Sequence, residues 1–169
     1  MRTALINDID HTGNTLLRLL SSLSTEQLNT LPFEGSWTAG QVAEHIWKAG
    51  DCSLLYGPAQ PVDRVPDEKV DAIKAMFLNF GIKMQSPEMI RPGNGPHAQE
   101  EVLQHIHQIW EKLTTAANTL DLNDECTAFE VPGFGPFTRY EWIQFINIHT
   151  QRHIHQLQNI QSHLLKAKS

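Results

Sequence analysis

An all-α bundle of four long helices is the fold this 169-residue sequence predicts. Apolar residues recur at three- and four-residue steps along four long stretches. Two of those stretches open with a capping box, in which a Thr hydroxyl and a Gln or Glu side chain satisfy the first orphan N–H groups. Both of these helices then carry histidine on the face that the periodicity turns inward.

The first stretch runs from about residue 3 to 23, with Leu5, Ile9, Thr12, Leu16, Leu19 and Leu23 on one face. Residues 24–28 suggest a short capped turn before Pro32 and Gly35 break the chain. Thr38-Ala39-Gly40-Gln41 starts the second helix, with Trp37 and Val42 placed as a hydrophobic staple. Val42, His45, Ile46, Ala49 and Cys52 share its inward face, and the helix is expected to run to Gly57-Pro58. From 57 to 96 the pattern is loose and rich in proline, with a short helix expected over 67–80. A connection that long inside a compact domain is often a segment covering a site. The third long helix spans about 99–120, with Val102, Ile106, Ile109, Leu113, Ala116 and Leu120 inward. After the apolar turn at 131–137, Thr138-Arg139-Tyr140-Glu141 caps the fourth helix, with Phe137 and Trp142 as its staple. Its inward stripe is Trp142, Ile146, His149, His153, Gln156, Ile160 and Leu164.

No repeat or clean break divides the chain, so residues 1–169 read as one domain, large enough to bury a core without staples. A formal charge of -6 and scattered basic residues, grouped only at Lys166 and Lys168, argue against nucleic-acid binding. Two cysteines, Cys52 and Cys126, make neither a disulfide framework nor a zinc ribbon. No apolar run approaches a membrane span, and Asp8 and Asp10 interrupt the N-terminal stretch early. A cytoplasmic protein, with neither a nucleic-acid nor a membrane partner, is the expectation.

Nine histidines are the unusual entry in the composition. His149 and His153 lie four apart, about 40° of rotation and about 6 Å of rise on a helix, so both rings can approach one point. Zinc-like ions accept imidazole nitrogen at about 2.0–2.1 Å, which such a pair reaches with little strain. Thr150-Gln151-Arg152 lies between them, so the HExxH pattern of metallopeptidases is absent. The pair replaces apolar residues on a core-facing stripe, and His45 does the same on the second helix. Three inward imidazoles need partners, and a metal ion is a common one. His105, between Val102 and Ile109, competes as a further ligand, a supporting group or a core residue. Gln156 is the first choice to orient a ligand ring, and Glu44 the next. Arg152 is expected to face outward or to reach a carboxylate. Asp51, Tyr56 and Tyr140 are possible acid/base groups, and Trp47, Trp110 and Trp142 possible pocket walls. His155 should point away, while His11, His97, His107 and His163 are expected near solvent or helix ends.

The pattern Trp37-Thr38-x-x-Gln41-x-x-Glu44-His45, then Gly135-x-x-Thr138, then His149-x-x-Arg152-His153-x-x-Gln156 resembles the DinB/YfiT-like superfamily over nearly the whole chain. The resemblance implies an up-down-down-up four-helix bundle with a divalent metal held by His45, His149 and His153. It also implies a possible homodimer and, from the wider family, transfer of a low-molecular-weight thiol to an electrophile. Three imidazoles leave a position for water or a small-molecule substrate. Hydrolysis by metal-bound water is therefore the alternative enzyme reading, and a non-catalytic metal- or small-ligand-binding bundle is the second class. Zinc, nickel, iron, cobalt and manganese all tolerate such ligands.

Overall fold

The computed structural model describes residues 1–167, so Lys168 lies outside the described residues. Four long helices make the bundle: α1 (Arg2–Ser21), α3 (Ala39–Ala49), α5 (Gln99–Thr119) and α6 (Arg139–Ala167). Two short ones, α2 (Thr25–Leu28) and α4 (Val70–Phe77), lie in the connections. Both expected capping boxes form. Thr38 Oγ1 accepts from the Gln41 N–H at 3.1 Å while Gln41 Oε1 accepts from the Thr38 N–H at 3.0 Å. Thr138 and Glu141 make the same exchange at 3.1 and 2.9 Å.

Helix directions follow from cross-chain pairs. Gln151 bonds Thr12 and Gln161 bonds Ser22, so α1 and α6 are parallel. Arg2 reaches the Ala117 and Leu120 carbonyls, Trp110 the Ile9 carbonyl and Gln99 the Ser21 carbonyl, so α1 and α5 are antiparallel. Gly40 lies against His97 and Gly50 against Ile109, making α3 and α5 parallel. Arg139 donates to the Leu55 carbonyl while His45 meets His149, making α3 and α6 antiparallel. Together these give the up-down-down-up order. Because α3 and α5 run the same way, the chain must travel back along the bundle between them, which is why that connection is so long.

This return segment is more structured than the proline pattern suggests. α3 stops at Ala49, earlier than expected, with Gly50 as its C-cap, and a 3₁₀ turn at Ser53–Tyr56 follows. β1 (Ala59–Gln60) pairs antiparallel with β2 (Glu125–Cys126), a contact invisible to local periodicity. The chain then passes through α4 and a 3₁₀ turn at Glu88–Ile90 before entering α5. Arg64 on this segment forms an ion-pair cluster, holding Glu141 at 2.8 Å and Glu125 at 3.2 Å. The Glu141 side chain is fully buried and also takes the Lys69 N–H at 2.7 Å. Burial alone would raise the Glu141 carboxyl, but Arg64 and the Thr138 and Lys69 N–H groups bring it below the usual range.

The apolar core falls into two clusters. One gathers Leu5, Ile9, Trp110, Leu113, Phe137, Ile143 and Ile146 at one end of the bundle. The other gathers Leu16, Leu20, Val42, Ile106, Leu157 and Ile160 at the opposite end. On α6 the two clusters change over between Ile148 and Ile154. His149 and His153 occupy that waist.

Candidate metal centre

The three predicted histidines come together. His149 Nε2 lies 3.2 Å from His45 Nε2 and 3.1 Å from His153 Nε2, with ring centroids 4.5–5.0 Å apart. They are the group of three or more His, Cys, Asp or Glu side chains among the described residues whose ligand atoms converge within 4.8 Å. His45 and His153 are buried, and His149 keeps an intermediate exposure.

The opposite ring nitrogens fix which nitrogen faces the centre. His45 Nδ1 lies 2.8 Å from the Ile90 carbonyl, which can only accept, so Nδ1 carries the hydrogen and Nε2 presents a lone pair. Ser86 Oγ lies 3.4 Å from the same Nδ1. His153 Nδ1 likewise donates to Gln156 Oε1 at 2.8 Å, leaving its Nε2 as a lone pair. Two lone pairs thus point at His149 Nε2. A single N–H on that nitrogen can serve only one of them well.

Burial holds all three imidazoles toward the neutral form. His45 is lowered by burial, partly opposed by its bond to Ile90. His153 is lowered to about 3 by burial and the neighbouring His45, against the Gln156 bond. His149 falls well below its ordinary value through burial, with His153, His45 and Arg152 adding to the effect. Neutral imidazole is the state a metal ion requires.

The spacing fits an ion. Three nitrogens about 2.1 Å from a common ion lie about 3.4 Å apart in tetrahedral and about 3.0 Å apart in octahedral facial geometry. The two separations from His149 Nε2 fall between these and all three ligand atoms lie within 4.8 Å of one another, so His45, His149 and His153 could hold a divalent cation.

The supporting residues divide differently from expectation. Gln156 orients His153, as its place on the stripe suggests. Glu44 bonds none of the three rings. It accepts from the Gly93 N–H at 2.6 Å, pairs with His97 Nε2 at 2.9 Å and with Lys48 at 2.8 Å. Burial would raise its carboxyl, yet the Lys48, His97 and Gly93 bonds bring it down to about 2. Gln41 donates to the Gly93 carbonyl and Lys48 to the Arg91 carbonyl. The outer face of α3 therefore holds the strand of chain that delivers the Ile90 carbonyl to His45.

His105 is not at the centre. It is exposed and stacks on Trp47 with centroids 4.4 Å apart. The inward face of α5 is set by Trp110 rather than Ile109, and His105 lies about 140° round from Trp110. His97 stands just before α5, at a helix end as expected, but is buried against Glu44 and Gly40 rather than facing solvent. Arg152 reaches backbone rather than a carboxylate, donating to the Phe77, Asn79 and Ile82 carbonyls at the end of α4. Trp110 and Trp142 belong to the core, Tyr140 is buried, and Asp51 bonds the Ser53 N–H. Cys52 and Cys126 are buried and free, and burial raises both thiols. His155 points away, stacked on Phe80. Among the described residues no helix is long and apolar enough to cross a membrane.

A four-helix bundle whose waist is crossed by three convergent imidazoles belongs to the class of helical bundles whose facing side chains could hold a metal ion. Residues 8–157 match the sequence profile of the DinB superfamily, and the chain belongs to that family. It is 25% identical over 152 residues to the uncharacterized protein YuaE of Bacillus subtilis (strain 168), covering 88% of this chain and 91% of that one. Its fold is similar to that of YfiT from Bacillus subtilis, described as a probable metal-dependent hydrolase with an unusual four-helix bundle topology. The TM-score is 0.60 at 16% identity, over 96% of this chain and 87% of that one.

Proposed function

We propose that this protein is a metal-dependent enzyme of hydrolytic type, with His45, His149 and His153 as ligands to one divalent transition metal. The observation that carries this reading is the 2.8 Å contact of His45 Nδ1 with the Ile90 carbonyl, beside the convergence of three imidazole nitrogens. The His45 Nδ1 hydrogen is committed to the Ile90 carbonyl, so its Nε2 lone pair faces two further imidazole nitrogens at the waist of the core. Buried lone pairs directed at one another are costly without a shared cation. A divalent ion bound there would supply Lewis acidity and lower the pKa of a coordinated water toward about 7.

The chain's own residues hold and orient. Gln156 and the Ile90 carbonyl fix two rings, Glu44 holds the segment that carries Ile90, and the neighbouring apolar clusters limit water around the ligands. The fold likeness to a protein described as a probable hydrolase supports water as the second reactant. Transfer of a low-molecular-weight thiol would use the same three ligands with a thiolate in place of water.

The test is metal content of protein prepared without a histidine tag or chelator, beside His45→Ala and His149→Ala. About one equivalent in the wild type and little in either variant is expected. No metal, and no uptake of zinc, nickel or manganese, would overturn the assignment. With metal established, ester and amide panels run with and without added thiol separate the two reactions. Turnover independent of thiol and abolished by chelator supports hydrolysis, whereas turnover only with thiol overturns it in favour of transfer.

A further inference from the structure

The rings around the three histidines limit what can approach them. Phe77 stands edge-on to His149 with centroids 6.2 Å apart, and Phe145 stacks on the same ring at 6.0 Å. Phe77 and Phe145 meet edge to face at 5.2 Å, forming one continuous wall. Trp37 packs on the His45 ring at 5.2 Å. Trp37, Phe77 and Phe145 retain intermediate exposure, so each of these rings touches a ligand histidine and still keeps part of its surface open.

The charged groups closest in sequence to the ligands are already engaged. The Arg152 guanidinium holds three carbonyls at the end of α4. Glu44 and Lys48 hold each other and the chain at 91–93. A substituent held against Trp37, Phe77 and Phe145 would face aromatic rings, where a carboxylate loses its hydration and meets the negative π faces while an apolar group does not. A cationic substituent would meet the positive charge the three nitrogens are arranged to hold.

We propose that the approach to the three histidines is a neutral, apolar subsite walled by Trp37, Phe77 and Phe145, which selects substrates carrying an aryl or bulky alkyl group beside the metal-binding atoms. This assignment rests on the metal reading above and adds the substrate class. Phe77 and Phe145 contact the apolar group beside His149, and Trp37 contacts it beside His45.

The test uses cobalt-substituted protein and three hydroxamates, with binding followed by the visible absorption of the cobalt. Benzohydroxamate should bind at least about tenfold tighter than acetohydroxamate, as expected for a ring removed from water. A carboxylate at the far end of the ring, in 4-carboxybenzohydroxamate, should erase most of that advantage. Phe77→Ala and Phe145→Ala should weaken benzohydroxamate severalfold while leaving cobalt stoichiometry and acetohydroxamate affinity as in the wild type, which also shows that the variants are folded. Equal affinity for the first two ligands, or tighter binding of the carboxylated one, with cobalt bound, would overturn the subsite alone. Failure to take up cobalt would overturn the metal centre and the subsite with it.

Discussion

Replacing Gln156 by Leu removes the acceptor that holds the His153 ring and should weaken metal binding without unfolding the bundle. Gln156 Oε1 accepts from His153 Nδ1 at 2.8 Å, and His153 is only 9% exposed. Without that acceptor the Nδ1 hydrogen is left in a dry place, or the ring shifts to the tautomer that puts its hydrogen on Nε2, where the ion must sit. Leaving a buried donor unsatisfied costs about 1–3 kcal/mol. Loss of an orienting partner typically costs a metal site about 10- to 100-fold in affinity, or about 1.4–2.7 kcal/mol. The two ranges agree, so a loss of about 30-fold is expected. Competition against a chromophoric zinc chelator at pH 7.5 measures it directly. Gln156→Glu keeps an acceptor at the same reach and should hold or raise affinity. Unchanged zinc affinity in Gln156→Leu would show that the hydrogen bond does not govern the His153 tautomer.

Further consequences follow from the ion pairs and the buried rings. Arg64→Met strips the partner from the fully buried Glu141 carboxylate and should cost about 3 kcal/mol in urea denaturation. That is the low end for a broken buried pair, because the Thr138 and Lys69 N–H groups still bond Glu141; adding Glu141→Gln should recover part of the loss. Metal-free protein should lose stability as pH falls from about 6.5 toward 3, because the unfolded chain takes up protons that the buried His153 refuses. At pH 5 that ring alone accounts for about 2 kcal/mol, and His45 and His149 act in the same direction. Glu44 and Glu141, both depressed, contribute stability that is lost only below their ordinary value of 4.5. A melting temperature flat between pH 7.5 and 5 would therefore contradict neutral buried imidazoles specifically.

What could be read from the sequence was what a single helix encodes. The capping boxes at Thr38 and Thr138 lie within four residues and form as written. His45, His149 and His153 stand on apolar stripes, so their inward direction followed from periodicity, and Gln156 followed from its place one turn beyond His153. His105 was misplaced because Ile109 and Trp110 both look like core residues. Choosing Ile109 rotates the inward face of α5 toward His105, and only packing against α1, where Trp110 bonds the Ile9 carbonyl, decides otherwise. The residues that hold the return segment were harder still. Glu44 meets His97 across 53 positions, Arg64 meets Glu141 across 77, and Arg152 meets Phe77 across 75. Nothing local marks such pairs, since an exposed helix carboxylate and a buried anchoring one have the same sequence signature.

The return segment does more than close the topology. Parallel packing of α3 and α5 forces the chain back along the bundle, and that route carries the Ile90 carbonyl to His45 and Phe77 to His149. Three groups tie it to the helices that supply the ligands: Arg64 to Glu141 at the start of α6, Arg152 between the two α6 histidines, and Glu44 beside His45 on α3. Each anchor lies on a ligand-bearing helix, so the position of the segment and the geometry of the three nitrogens are coupled. A protein needing only a long connection could leave it loosely attached. Here it is bound by buried ion pairs and by donors to its backbone carbonyls, because it supplies one hydrogen-bond acceptor and one aromatic wall to the same site.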